Sequence, residues 1–192
     1  MSINTTENNL SPKSKHYDVI IIGAGISGIG AGCHIKKLCP KKSFAILEGR
    51  NNIGGTWDLF RYPGIRSDSD MHTMGFRFRP WKTTNIIAKG SSILNYLCET
   101  VEEYKLEQNI LLNNWVKHAS WCSSQEKWTV KIQEKNNVEI NKLTCDFLWL
   151  CGGYYSYKKG YTPNFKGKES FEGQIIHPQE WPKNLNYNDK NV

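Results

Sequence analysis

The stretch that decides the fold is Tyr17-Asp-Val-Ile-Ile-Ile-Gly23-Ala-Gly25-Ile-Ser-Gly28. Its first half is an apolar run bounded by a glycine, the pattern of a strand covered on both faces in a parallel sheet. Its second half is a G-x-G-x-x-G turn that opens a helix predicted over 26–38, ending before Pro40. Phe44-Ala-Ile-Leu47 reads as a second buried strand, so the pieces assemble as a β-α-β unit. In such a unit Gly23 permits a tight turn, Gly25 lets the backbone approach a pyrophosphate, and Gly28 lets the helix sit close to the strand. The helix tip offers unpaired N–H groups and the positive end of its dipole to phosphates. Glu48 stands 20 residues past the last glycine, at the carboxyl end of the second strand. There its carboxylate accepts from ribose hydroxyls and repels a 2′-phosphate, so this first site is expected to hold FAD or NAD rather than NADP. A glycine-rich turn with a surface glutamate is the bland alternative, and the preceding strand and the position of Glu48 argue against it.

Composition narrows the classes further. The chain has 192 residues, 39% hydrophobic and 22% charged, enough apolar material for the core of one ordinary domain. A net charge of +7 is spread along the sequence apart from lysine pairs at 36–37, 41–42 and 158–159. That balance suits anionic small ligands and argues against specific nucleic-acid binding. Six dispersed cysteines, with no C-x-x-C pair and no metal-ligand spacing with histidine, read as reduced thiols of a cytoplasmic protein without a metal site. Residues 1–16 are polar and read as a mobile tail without a signal peptide. No apolar run approaches membrane-spanning length.

Beyond the second strand, residues 49–82 carry Gly, Pro, Arg and aromatics without periodicity, and an irregular stretch that long is usually functional. An amphipathic helix is predicted over 91–106, with Ser91 or Ser92 as its cap. Strand-like pieces follow at 109–112, 116–121, 128–133 and 138–143, separated by polar turns at 123–127 and 134–137. Phe147-Leu-Trp-Leu-Cys151 is a further buried strand ending at Gly152-Gly153, and the chain is loop-like from Tyr154. The expected fold is therefore α/β: a Rossmann-like domain with a parallel sheet and a small antiparallel β-meander. A nicotinamide dehydrogenase would continue with further β-α units. A crossover meander, with Ile53-Gly-Gly-Thr-Trp57 after the second strand, better fits a long flavin cofactor lying across the sheet.

Two longer motifs carry a resemblance. One is Gly54-Gly-Thr-Trp-Asp-Leu-Phe-Arg-Tyr-Pro-Gly64-Ile-Arg-Ser-Asp-Ser-Asp70. The other, Phe171-x-Gly173-x-x-x-His177-x-x-x-Trp181-Pro182, fits F-x-G-x-x-x-H-x-x-x-W-P at every defined position. From about Asp18 to its last residue the chain resembles the class B flavoprotein monooxygenases of Baeyer–Villiger type. Residues 70–82 look closest to the ethionamide-activating branch. The resemblance implies a glutathione-reductase-like FAD-binding domain whose first part spans 17–155, after the 1–16 tail, and a linker over 156–192 carrying the fingerprint. It implies FAD contacts at Ser27 and Glu48 beside Gly23, Gly25 and Gly28. It also implies a flavin-lining segment at Thr56, Trp57, Asp58 and Leu59, and an adenine-side backbone contact at Val116. Arg66, Ser67 and Asp68 match a loop between flavin and the nicotinamide of NADP. Asp68 also matches the carboxylate that orients a catalytic arginine contributed by a later part of the chain. Phe171, Gly173, His177, Trp181 and Pro182 match a domain-coupling linker, His177 acting conformationally rather than in proton transfer.

The activity implied by that resemblance uses NADPH to reduce FAD, which then captures O2 as a C4a-peroxide. One oxygen atom passes into a small-molecule ketone, giving an ester or lactone, or onto sulfur or nitrogen, as in a thioether. The sequence ends at Asn188-Asp-Lys-Asn-Val192, where a second parallel strand and glycine-rich loop are expected. The chain by itself is therefore expected to lack NADPH-driven oxygenase activity and to hold FAD weakly. The alternative is a non-catalytic flavin-binding module or truncated remnant acting with a separate chain that carries the rest. A plain NAD-dependent oxidoreductase is disfavoured by Gly54–Trp57 and by the fingerprint.

Overall fold

The computed structural model describes residues 15–135 and 140–191. It opens with β1 (Lys15–Ile22), α1 (Ile26–Leu38) and β2 (Phe44–Leu47), the expected β-α-β unit. β1 and β2 pair in parallel from Val19↔Phe44 to Ile22↔Leu47. Both strands thus end at one level, and Gly23 donates its N–H to the Leu47 carbonyl at 2.8 Å. That register brings the glycine turn and Glu48 out of the sheet side by side.

Two short helices, α2 (Thr56–Leu59) and α3 (Met71–Met74), punctuate the irregular stretch, and α4 (Gly90–Glu103) follows. The chain returns to the sheet as β3 (Ile110–Leu111), β4 (Asn114–Cys122), β5 (Lys127–Glu134) and β6 (Ile140–Leu150). The sheet order is β3-β2-β1-β6-β5-β4. Pairing is parallel from β3 to β6 and antiparallel from β6 to β4. Neighbours on β1 serve opposite faces: Ile21 packs with Ile29, Ile46, Ile93 and Leu97, whereas Ile20 packs with Leu47, Val130, Ile132 and Cys145. The first cluster is built with α1 and α4, the second with the meander. Coverage on both faces is the physical reason for the unbroken apolar run, each such side chain contributing roughly 1.5–3 kcal/mol by burial.

Several boundaries differ from expectation. β1 begins at Lys15, two residues ahead of Tyr17; the rest of the expected tail, residues 1–14, lies outside the described residues. α4 begins at Gly90, after an N-cap at Lys89 that makes no side-chain cap, so neither Ser91 nor Ser92 caps it. The start is set by tertiary pairing, because Gly90 donates to the Ile65 carbonyl and Lys89 pairs with Arg66 in an antiparallel bridge. The strand expected over 109–112 is only two residues long. The pieces expected at 138–143 and 147–151 are one strand, Ile140–Leu150, which pairs with β5 through its first half and with β1 along its other edge. Residues 136–139, part of an expected turn and strand, lie outside the described residues.

Polar ties reinforce the frame. Asp18 accepts from Lys42 Nζ at 2.7 Å and from the Ser43 N–H and hydroxyl, and these donors, Lys42 first, hold its carboxyl well below the usual carboxylate range. All six cysteines are free thiols; burial pushes Cys33 up to about 12 and Cys145 up to about 11. Among the described residues no helix is long and apolar enough to cross a membrane, and no group of three or more His, Cys, Asp or Glu side chains is gathered to hold a metal.

Candidate dinucleotide-binding site

A cleft of about 530 Å³ opens where β1, β2 and β6 end. Gly23, Gly25 and Ser27 line it on one side, and Glu48, Trp115 and Val116 on another. The glycine turn has no room for a side chain at its first or last glycine. Gly23 has φ +103°, and a Cβ there would fall 2.4 Å from the Cys151 carbonyl oxygen. A Cβ on Gly28 would fall 1.8 Å from the Gly23 oxygen, so the helix sits directly on the turn. α1 starts without a side-chain cap and without an acid in its first turn. Its leading N–H groups and dipole end are thus left for an external anion.

A second glycine loop closes on the first. Gly54 donates to the Ala24 carbonyl at 2.9 Å, and a Cβ on Gly55 would lie 3.1 Å from Gly25 Cα. Glu48 is 8% exposed. Its Oε2 accepts from the Ala24 N–H and its Oε1 from the Arg50 N–H, both at 2.9 Å. A carboxylate has about four acceptor sites, so lone pairs remain for a ligand hydroxyl. Backbone bonds from Glu48 to Leu111 and Asn114 bring the start of β4, and with it Val116, to the cleft wall.

The second loop is anchored by ions. Asp58, 4% exposed, accepts from Arg50 Nη2 at 2.5 Å and from Arg61 Nη2 at 2.6 Å. Arg50 Nη1 also donates to the Gly55 carbonyl at 3.2 Å. Charge-assisted bonds of this kind are stronger than neutral ones, and here they tie the loop after β2 to α2. Across the cleft, the Tyr157 ring lies under the Arg50 guanidinium at 5.7 Å. Its hydroxyl reaches the mouth between the two loops, 3.6 Å from where a Gly55 Cβ would be. Burial, and then the Glu48 charge, raise this phenol above its ordinary value, with Arg50 opposing.

Of the residues singled out from sequence, Gly23, Gly25, Ser27, Glu48, Thr56, Trp57 and Val116 line this one cleft, with Gly28 buried behind it. Asp58 and Leu59 do not line it; the Asp58 carboxylate is committed to its two arginines. Arg66 lines a broader cleft of about 1430 Å³ that shares Trp57 with the first. Ser67 is buried and bonded twice to Ala88, through its N–H at 2.9 Å and its hydroxyl oxygen at 3.0 Å. Asp68 is exposed beside Ser69, and its charge reaches Tyr155, whose phenol is raised chiefly by its bond to Tyr154 and by burial. The fingerprint residues line neither cleft. Phe171 is exposed with its ring over Gly173, His177 caps a 3-10 turn, and Trp181 meets Tyr187 edge to face at 5.9 Å. The Pro182 carbonyl accepts from Leu185 at 3.4 Å. Sequence reasoning missed Arg50, Trp115 and Tyr157. Arg50 stands two residues after Glu48 and Tyr157 closes the run after Gly152-Gly153, positions that flank both halves of the turn.

Fold and cleft together define a Rossmann-like dinucleotide-binding domain, and the family described as NAD(P)-binding Rossmann-like domain matches residues 21–83. The FAD-containing monooxygenase EthA of Mycobacterium tuberculosis is 52% identical over 179 residues, covering 93% of this chain and 36% of that protein. The probable FAD-binding monooxygenase AlmA of Acinetobacter baylyi is 50% identical over 178 residues, with the same shares. A solved steroid monooxygenase, oxidised and bound to NADP, superposes with a TM-score of 0.73 at 27% identity, covering 88% of this chain and 32% of that one. The chain is a homologue of the N-terminal portion of FAD-containing monooxygenases, with Baeyer–Villiger monooxygenases as its structural neighbours, and it spans about a third of their length.

Proposed function

We propose that these residues are the FAD-binding portion of an NADPH-dependent monooxygenase that transfers one oxygen atom from O2 to a small-molecule ketone, or to sulfur or nitrogen. The observation that carries the reading is the closed pair of glycine loops at an uncapped helix tip, with the Glu48 carboxylate at the edge of the same cleft. The cradle fits the cofactor's diphosphate: side chains at Gly23 or Gly28 would collide with backbone, and Gly25 presents bare backbone to the cleft. The glycine turn and the N–H groups of α1 would hold the diphosphate, Glu48 the adenosine ribose and Val116 the adenine side. Thr56 and Trp57 would face the flavin, and Asp58 would act behind them by fixing α2 through Arg50 and Arg61. When bound, the flavin supplies electron transfer from the nicotinamide and activation of O2.

Arg66, Ser67 and Asp68 would face NADP, with Asp68, exposed and without an ion pair among the described residues, orienting a cation from outside these residues. The domain division is read as 17–155 for FAD binding and 156–192 for the linker. Oxygen transfer would need the remaining two thirds of the relatives' length, on the same chain or a partner, and free thiols throughout suit the cytoplasm.

Titrating FAD into the purified chain is expected to give saturable, weak binding that ADP competes away, with Glu48→Ala weakening it by about tenfold. Absence of any ADP-competed FAD binding overturns the reading. With FAD, NADPH and a thioether, the 192 residues alone are expected to form no sulfoxide.

A further inference from the structure

Residues 156–158 wall the cleft, yet among the described residues no backbone-to-backbone hydrogen bond holds 153–160. Side chains hold the segment instead: Tyr155 meets Phe60 edge to face at 5.1 Å, Tyr157 lies against Arg50, and two further contacts come from His177 and Gln179 at the 3-10 turn Pro178–Glu180. Gln179 Nε2 donates to the Ser156 carbonyl at 2.8 Å, across 23 residues of sequence. The His177 ring lies flat against Gly160, where a Cβ would fall 2.0 Å from its Cε1. The two contacts are themselves linked, because the Gln179 N–H donates to His177 Nδ1 at 3.1 Å. That bond orients the imidazole, and through the backbone it sets where the Gln179 amide reaches. Tyr157 stands between the two clamped points, its ring against Arg50 and its hydroxyl at the junction of the glycine loops.

We propose that the His177–Gln179 turn is a clamp holding Tyr157 in the dinucleotide cleft. Tyr157 is then a further cofactor-binding residue, whose hydroxyl donates to the bound dinucleotide where the glycine loops meet, and His177 and Gln179 are its positioning residues. The inference rests on the reading of the cleft as an FAD site and adds a role to the fingerprint: it fixes one wall of that site from a turn that does not itself line the cleft. It also gives Gly160 a reason, since any side chain there would displace the His177 ring.

The test is a double-mutant cycle on the full 192-residue chain, with FAD affinity and limited proteolysis by trypsin as readouts. Tyr157→Phe keeps the ring over Arg50 and removes the hydroxyl; it is expected to weaken FAD by about tenfold. Gln179→Ala is expected to weaken FAD by a similar factor with little change in melting temperature. The double variant is expected to be no weaker than either single variant, because both remove one interaction. Wild-type affinity in Tyr157→Phe, or losses that multiply in the double variant, overturn the proposal. Failure of the parent chain to bind FAD at all is instead a failure of the functional reading. The clamp is judged even then, because Gln179→Ala and Gly160→Ala are expected to speed tryptic cleavage at Lys158 and Lys159 severalfold with or without flavin. Unchanged cleavage in both refutes it.

Discussion

The first third of the chain and its last forty residues are stabilised in opposite ways. From β1 through α2, backbone groups pair along strands and helices, Tyr17, Ile20, Ile21 and all of β2 are buried, and even the loop after β2 is closed by hydrogen bonds and ion pairs. From Gly152 onward there are two single 3-10 turns and no strand among the described residues, and Tyr154 and Tyr161 are 88% and 86% exposed. The first region carries its own stability. The second takes its shape from a few side-chain bonds within itself, and Tyr155 and Tyr157 rest on the first through Phe60 and Arg50. A substitution should therefore be costly in one and cheap in the other, while cofactor affinity should respond to both.

The largest effect is expected at Asp58. Its carboxylate is buried between Arg50 and Arg61, and Asp58→Ala leaves both guanidinium groups, one of them four-fifths buried, without their anionic partner and with only backbone carbonyls to bond. Loss of one partner from such a buried set costs about 3–5 kcal/mol. Arg61 is half exposed and is rescued by water, so the lower end is expected in urea unfolding. A cost below about 1 kcal/mol would show that the loop after β2 does not depend on its ions. Next comes Gly28→Ala, where a methyl group must displace the Gly23 carbonyl and with it the turn. Overpacking against backbone costs roughly 1–3 kcal/mol, and FAD binding is expected to fall further than stability does.

The same contrast explains what the sequence made legible. β1, the turn, α1 and β2 rest on an apolar run and on glycines whose need is local, so their bounds were close to those observed. The sequence splits β6 into two pieces because Thr144-Cys145-Asp146 interrupts its apolar pattern. In the fold, Thr144 bonds His16 at 3.0 Å and Asp146 lies 3.3 Å from the same imidazole. Those polar groups are satisfied by β1, more than 120 residues away in sequence. The start of α4 differs from expectation for a similar reason, being set by Ile65 and Arg66 rather than by a capping serine. At the site, the glycine turn and Glu48 follow a spacing that sequence displays. Arg50, Trp115 and Tyr157 act through contacts across loops, which leave no local period. Trp115, for example, covers Gly49, where a Cβ would fall 2.2 Å from the indole.

A smaller effect, with a definite pH signature, is expected where Asp18 ties β1 to the turn before β2. Its donors Lys42 and Ser43 lower the folded-state pKa below the unfolded value of about 3.9. The unfolded state therefore binds the proton first. The contribution is fully present above about pH 4 and is lost as pH falls through the lower, folded value. Asp18→Asn is expected to be less stable than the parent at neutral pH, with the gap closing below pH 4. A gap that stays constant from pH 7 to pH 3 would show that the carboxylate's charge contributes nothing.

The smallest effect is the one that tests the comparison most directly. Phe165 is 62% exposed in the region after β6, and its backbone carbonyl accepts from Lys168 whatever its side chain. Phe165→Ser removes apolar surface that is still largely in water, so little transfer free energy is lost, and the turn at Lys168–Ser170 keeps its hydrogen bond. Surface changes of this kind stay within about 0.5 kcal/mol, and Phe165→Ser is expected to leave both the urea midpoint and FAD affinity unchanged. An isoleucine in the first region, Ile20, is fully buried, and its truncation to alanine costs about 2–5 kcal/mol. A loss above about 1 kcal/mol at Phe165 would mean that the last forty residues pack on the domain through more than the contacts of Tyr155 with Phe60 and Tyr157 with Arg50, and the two regions would then share one core.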